Sequence, residues 1–402
     1  MGAEDSALAV TGTVQHDSWL ARKMPPVEQL RSDLWSVPVP MPSSPLRYVS
    51  VYVFADDAHI MLIDAGWESS ESWEALCAGV ASIGGSMADI RGVLVTHQHL
   101  DHLGLAGRIR EESDAWVGLH PADVDMISRP EFRNPDIALQ TERRWLIMMG
   151  ASRQEAEAIT EDITRFQARS RVAIPDRLIE DGAEFHISGW SLRAVHTPGH
   201  TPGHLCFVDQ KAGLLFSGDH VLPRITPNVS ADRRAESDTL GDFLTSLDKI
   251  SKYSVNEVLP AHEWRFSGLP ARLRRLAEHH EDRLAELLSI VRRKPGLHPW
   301  QLAGELTWSR PWDQYDGHMK VSAVSETVAH LGHLVRRGLV TAITAPVPTY
   351  VAAEQVADGY RLLSRAAGLF PSITRDRLRD VAKGRLQRGW HVYNEWLDVI
   401  TY

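Results

Sequence analysis

Residues 90–102, IRGVLVTHQHLDH, limit what this chain can fold into more than any other stretch. A short apolar, β-branched run reads as a buried strand, and this one ends on a polar cluster. His97, His99, Asp101 and His102 stand within six positions. Alternate residues of an extended segment point the same way, so His97 and His99 can grip one ion. Asp101 and His102, placed after the chain turns, can face a second. A single histidine in a loop carries little information; a metal site needs further donors, brought from other strand ends.

The chain pattern supplies strands to bring them. LRYVSVYVFADDAHIMLIDAGW (46–67) holds two β-rich runs, 48–54 and 59–64, split by Asp56-Asp57 as in a hairpin. Residues 70–83 read as a helix stopped by Gly84-Gly85. Further strand-like pieces fall at 115–120, 183–187, 191–196, 204–209, 213–217 and 256–262, with a helix over 238–253. Such alternation implies sheets covered by helices, an α/β sandwich. Three of these runs end on donors: His196, His200 and His204 in VHTPGHTPGH, Asp219 in LFSGDH, and His262 in VLPAHE. Imidazole and carboxylate donors in this mix suit zinc, and also iron or manganese.

The order and spacing of these clusters resemble the metallo-β-lactamase superfamily: HxHxDH at 97–102, TPGHTPG at 197–203, GD at 218–219, and a late His262. The resemblance spans roughly 45–265 and implies an α/β, αββα sandwich. It implies two divalent metal ions, with His97, His99 and His200 on the first, Asp101, His102 and His262 on the second, and Asp219 bridging. Asp101 is then also the catalytic proton carrier, and Asp64 in LIDAGW buttresses the ligand histidines. His196, His204 and His220 are left to structural roles. Asp219 stands where zinc β-lactamases often carry Cys, and His99 where flavodiiron-type members carry Glu. Antibiotic hydrolysis and di-iron electron transfer are therefore disfavoured.

Helical pattern dominates after about residue 268. The stretch 271–296 is amphipathic, with Leu273, Leu276, Leu284, Leu287 and Leu288 at helical spacing. A short helix follows around LHPWQLAGEL, then another over 322–343 that runs into a strand after Gly338. This resembles a winged helix like that of the human β-lactamase-like protein 2 branch, which includes endoribonucleases and polyketide-thioester hydrolases. Helical runs at 351–367 and 374–397 close the chain, and Trp390 and Trp396 favour self-association into a homodimer. The expected organisation is an extension at 1–44, a hydrolase domain at 45–268 with a helical insert at 121–180, a winged-helix-like domain at 269–345, and a helical extension at 346–402.

The expected chemistry is hydrolysis by a hydroxide shared between two metals; no GxSxG nucleophile motif occurs. A small ester, thioester or lactone is the leading substrate. Net charge is −9, and residues 271–345 hold eleven Lys/Arg against eight Asp/Glu, a modest excess for a nucleic-acid surface. Single-stranded RNA is the alternative substrate, and a winged-helix regulator sensing a metal-bound ligand a third reading. RRWLIMMG (143–150) either lines an apolar acyl pocket through Trp145 and Met148 or packs the insert onto the sandwich. Arg224, Asn228 and Ser230, just past Asp219, either touch substrate or shape their loop. Cys77 and Cys206 sit in apolar runs without a disulfide framework, as suits the cytoplasm. The start lacks the pattern of a secretory leader, and its match to a myristoylation motif at Gly2 and Ser6 reads as chance. No apolar run approaches the roughly 20 residues a membrane span needs.

Overall fold

The computed structural model describes residues 8–42, 44–56, 59–164, 173–187, 189–232, 237–315, 317–343 and 347–355. The expected helices 374–397 and most of 351–367, with Trp390 and Trp396, lie outside the described residues. Two compact units divide the chain. One comprises residues 1–134, 168–228 and 242–278; the other comprises 135–167, 229–241 and 279–402.

The first unit is built on two seven-stranded sheets. In one, Glu28–Arg31, Leu34–Pro40, Tyr48–Ala55 and Ile60–Ile63 run antiparallel in sequence order. Ile90–Leu94, Trp116–Leu119 and Arg177–Leu178 then continue the sheet in parallel. The other sheet runs in the order Ala9–Val10, Phe266–Ser267, Glu257–Pro260, Leu214–Gly218, Leu205–Asp209, Trp190–His196, Glu184–Ile187. Only its Leu214–Gly218 and Glu257–Pro260 pair is parallel.

Period-2 alternation sorts the strand Tyr48–Ala55 between two cores. Val49, Val51 and Val53 pack with Leu76, Val80 and Ile109 from flanking helices. Tyr52 and Phe54 face inward, where they meet Leu192, Leu205, Phe207 and Phe216 of the opposite sheet. Each such buried side chain stabilises the fold by about 1.5–3 kcal/mol relative to exposure. The helix Ser70–Ser82 begins at Ser69, whose hydroxyl accepts from Ser72 N at 3.0 Å.

The boundary expected at residue 44 falls inside this architecture. Leu34–Pro40 pairs with Tyr48–Ala55 along its whole length, and Val37 and Val39 are fully buried. Its prolines mask it in the sequence. Pairing with Glu28–Arg31 stops at Ser36, so Pro38 and Pro40 lie past that neighbour's end, where no N–H is needed.

The second unit contains the helices Pro135–Met148, Arg153–Thr164, Pro299–Glu305 and Gly317–Arg336, and the antiparallel ribbon Val340–Ile343 with Thr349–Ala352. The long helix Leu269–Arg293 carries the boundary between the units at 278/279. Trp145, Leu146 and Met149 join Trp300, Ala303, Val321 and Val324 in one core, with Met148 packed against it. This corrects both expectations for RRWLIMMG: Trp145 is 3% exposed, and the stripe's core partners are Trp300, Ala303, Val321 and Val324 and not the strands of the sandwich. Among the described residues no helix is long and apolar enough to cross a membrane.

Candidate metal centre

Four strand ends of the first unit deliver the candidate donors. The chain leaves Ile90–Leu94, is held once more by Val95 N donating to Gly118 O, and turns through His97 and His99 into the short helix Leu100–Leu103. His200 lies in the turn after Trp190–His196. Asp219 follows Leu214–Gly218, and His262 follows Glu257–Pro260. Gly218 is required here: at φ 50°, a Cβ on it would sit 2.7 Å from His204 Nε2 and 2.9 Å from Thr96 Cβ.

All seven sequence-predicted residues meet. His99 Nδ1 lies 2.9 Å from His97 Nε2 and 3.1 Å from His200 Nε2, and His200 Nε2 is 3.5 Å from Asp219 Oδ2. On the other side, His262 Nε2 is 3.2 Å from Asp101 Oδ2 and 3.3 Å from Asp219 Oδ1. His102 Nε2 is 3.5 Å from Asp101 Oδ2 and 3.6 Å from Asp219 Oδ1. The two carboxylate oxygens of Asp219 thus face two different donor groups.

The opposite ring nitrogens fix which atom points inward. His200 Nδ1 donates to Asn228 O at 2.7 Å, and His262 Nδ1 donates to Tyr48 O at 3.0 Å. His102 Nδ1 donates to Asp64 Oδ2 at 2.8 Å. Thr96 Oγ1 lies 3.0 Å from both Asp64 oxygens and 3.1 Å from His97 Nδ1, so the hydroxyl donates to Asp64 and accepts from His97. These four imidazoles present Nε2 to the cluster, whereas His99 presents Nδ1. Asp64 therefore does buttress the histidines, as the resemblance implied.

The donor set fits divalent cations. His102 Nε2, His262 Nε2 and Asp219 Oδ1 are buried beside one another without a hydrogen-bond partner among the described residues, an arrangement that native interiors rarely leave uncompensated. Electrostatics agree. Burial, reinforced by the neighbouring imidazoles, holds His97 well below the usual histidine range and His99 at about 3, so both stay neutral, the ligating form. Burial also opposes charge on Asp101 and Asp219, but His102 and His262 outweigh it and keep both carboxyls ionised. The same carboxylates overcome burial to raise His102 well above its ordinary value and His262 to about 10. Positive charge is what this spot demands.

Three supporting side chains surround the donors. His204 donates through Nδ1 to Thr197 Oγ1 at 2.8 Å and accepts Asp219 N at 3.1 Å, so it seats the shared carboxylate's backbone. His196 stacks on His120 with ring centroids 3.9 Å apart and donates to Pro202 O at 2.8 Å. His220 is fully buried against Phe243. Asp123 was not singled out by sequence reasoning. Fully buried, it accepts from Gln98 N at 2.9 Å, Thr201 Oγ1 at 2.8 Å and Gly203 N at 2.7 Å. It clasps the 97–102 loop to the 197–203 turn, and burial pushes its carboxyl up to about 6 despite those three donors. Nothing in HPADV marks that role. Of the loop residues past Asp219, Asn228 orients His200 through its carbonyl.

Comparison with known proteins bears on the family and the fold. The family described as the metallo-beta-lactamase superfamily matches residues 44–265. The lactamase-like protein adaB of Aspergillus niger is 26% identical over 273 residues, covering 67% of this chain and 68% of that protein. The atrochrysone carboxyl ACP thioesterase AgnL7 of Paecilomyces divaricatus is 38% identical over 97 residues, 24% of this chain and 28% of that protein. A metallo-beta-lactamase family protein from Thermus thermophilus superposes with a TM-score of 0.68 at 27% identity, covering 81% of this chain and all of that one.

Proposed function

Given that this chain belongs to the metallo-beta-lactamase superfamily, we propose that it hydrolyses a small ester, thioester or lactone at a centre holding two divalent ions, with zinc the first candidate. The observation that carries this reading is the pair of donor groups sharing Asp219, one oxygen toward each. His97, His99 and His200 would hold one ion, Asp101, His102 and His262 the other, and Asp219 both. Such ions, when bound, acidify water toward neutral pH and polarise a carbonyl.

The chain's own residues supply placement and proton handling. Asp64 and Thr96 lock the inward nitrogens of His102 and His97. Asp101 stays ionised beside His102 and His262; in this reading it would be the proton carrier, accepting from the attacking water and passing the proton to the leaving oxygen or sulfur. The net charge of −9 weighs against a polyanionic substrate, and the likeness to a thioesterase over 97 residues supports acyl chemistry.

The test is metal analysis followed by a panel of thioesters, esters, lactones and single-stranded RNA. Two ions per chain are expected, with acyl substrates turned over and RNA left intact. At most one ion under saturating zinc or manganese overturns the dinuclear centre. RNA cleavage that weakens steeply as salt rises, without acyl hydrolysis, overturns the substrate class.

A further inference from the structure

Beside His262 the surface of this acidic chain turns cationic. Glu263 is fully buried and adopts φ 70°, a left-handed conformation unusual for a side chain of its size. Its carboxylate is taken by Arg224: Nη2 lies 2.6 Å from Oε1, and the Arg224 backbone N donates to Oε2 at 3.1 Å. Arg224 sits on the loop that leaves Asp219 and returns to His200 through Asn228 O. The guanidinium is therefore anchored one residue from His262, on a loop tied at both ends to candidate ligands.

The Arg224 side chain is 55% exposed, and among the described residues its Nε and Nη1 make no hydrogen bond. Its guanidinium carbon stands 5.6 Å from the centre of the Trp19 ring. Arg47 lies over the same indole at 3.8 Å, tied by Nη2 to Trp19 O at 2.8 Å, with Nη1 buried and without a hydrogen-bond partner among the described residues. Trp264, two residues past His262, meets the Trp19 ring edge-on at 6.2 Å. Two guanidinia thus flank one indole, and one of them, Arg224, carries the ion pair to Glu263. A planar fork within cation–π reach of an indole, half exposed and with two of its nitrogens unpaired among the described residues, is suited to binding a carboxylate or phosphate.

We propose that Arg224, supported by Trp19 and Arg47, binds an anionic group, carboxylate or phosphate, carried by the substrate of the neighbouring metal centre. This rests on the hydrolase reading for the word substrate; the anion site itself does not need turnover.

The experiment measures binding to the zinc-loaded full chain by titration calorimetry, using probe pairs that differ in one charge. 4′-Phosphopantetheine against pantetheine reads phosphate; glutaramate against glutaramide, which carry no ester, reads carboxylate. The wild type is expected to prefer the charged member of one pair by about tenfold or more, as a charge-assisted contact gives, and that pair identifies the anion. Arg224→Gln should lose the preference, and Arg224→Lys should keep part of it. If Arg224→Gln is unstable because Glu263 is stranded, the double variant Arg224→Gln/Glu263→Gln removes both charges and gives the same reading. Equal affinity within both pairs overturns the proposal. So does a preference that survives without Arg224, or a loss that falls equally on charged and neutral probes. Charge-selective binding in a protein that hydrolyses nothing on the panel upholds this site and removes the hydrolase reading instead.

Discussion

At the residue scale, Asp123 separates a donor from the group that places it. Its carboxylate accepts from none of the seven candidate ligands, yet it binds Gln98, between His97 and His99, Thr201, next to His200, and Gly203, next to the supporting His204. Gly203 leaves it room: a Cβ there would lie 2.6 Å from Asp123 N. Asp123→Ala should cost about 10–100-fold in zinc affinity and turnover, and the three buried donors it strands should also lower the unfolding temperature. Asp123→Asn should fall between, since its amide oxygen can replace only part of the acceptor capacity. Zinc titration and kcat decide this; wild-type values for the alanine variant would make the clasp dispensable. The candidate donors were legible because four of them share one hexapeptide and the others follow recognisable strands, with His200 picked from among His196, His200 and His204 by the family resemblance. Asp123 was not, because its partners lie 25 to 80 residues away.

Among the elements, the helix Pro135–Met148 shows where sequence periodicity stops informing. Its apolar face is plain, but the surface it covers is a matter of tertiary packing. That surface proves to include Trp300, Ala303, Val321 and Val324. Trp145→Ala should therefore destabilise the second unit by about 3–5 kcal/mol and leave KM for an acyl substrate unchanged. Urea unfolding and steady-state kinetics test the two halves separately, and a raised KM with unaltered stability would restore the pocket.

The helix Gly317–Arg336 holds Glu326 largely out of solvent, and that partial burial raises its carboxyl to about 7 although Arg283 lies 3.9 Å away. The folded form then holds a proton that the unfolded chain, with an ordinary glutamate near 4.5, has released. Stability from this group is complete below about pH 4.5 and is lost as pH rises through about 7. Glu326→Gln should therefore gain on the wild type in unfolding temperature between pH 5 and pH 8. The neighbouring His330, held near 4 by burial, is present in both proteins and cancels in the comparison. A difference that stays flat across that range would place Glu326 in a solvated environment.

Across the whole molecule, the sequence by itself determined the class of fold, the identity of the candidate ligands and the two-sided role open to Asp219. Strands, turns and donors at strand ends are written locally; the αββα arrangement, the choice of ligands and the bridging place of Asp219 are what the resemblance to the superfamily implied. The tertiary structure decided how the chain is partitioned. Leu34–Pro40 enters the first sheet although its prolines argue against a strand, because they lie beyond the end of its neighbour. Residues 135–167, 229–241 and 279–402 form one unit across two long interruptions. It also decided which polar residues serve the site without joining it, and why Arg224 is anchored and half exposed at once. The reason is physical: hydrophobic burial is non-directional, so an apolar face declares that it will be covered without saying by what. A buried carboxylate likewise declares its need for partners, and only the fold supplies them.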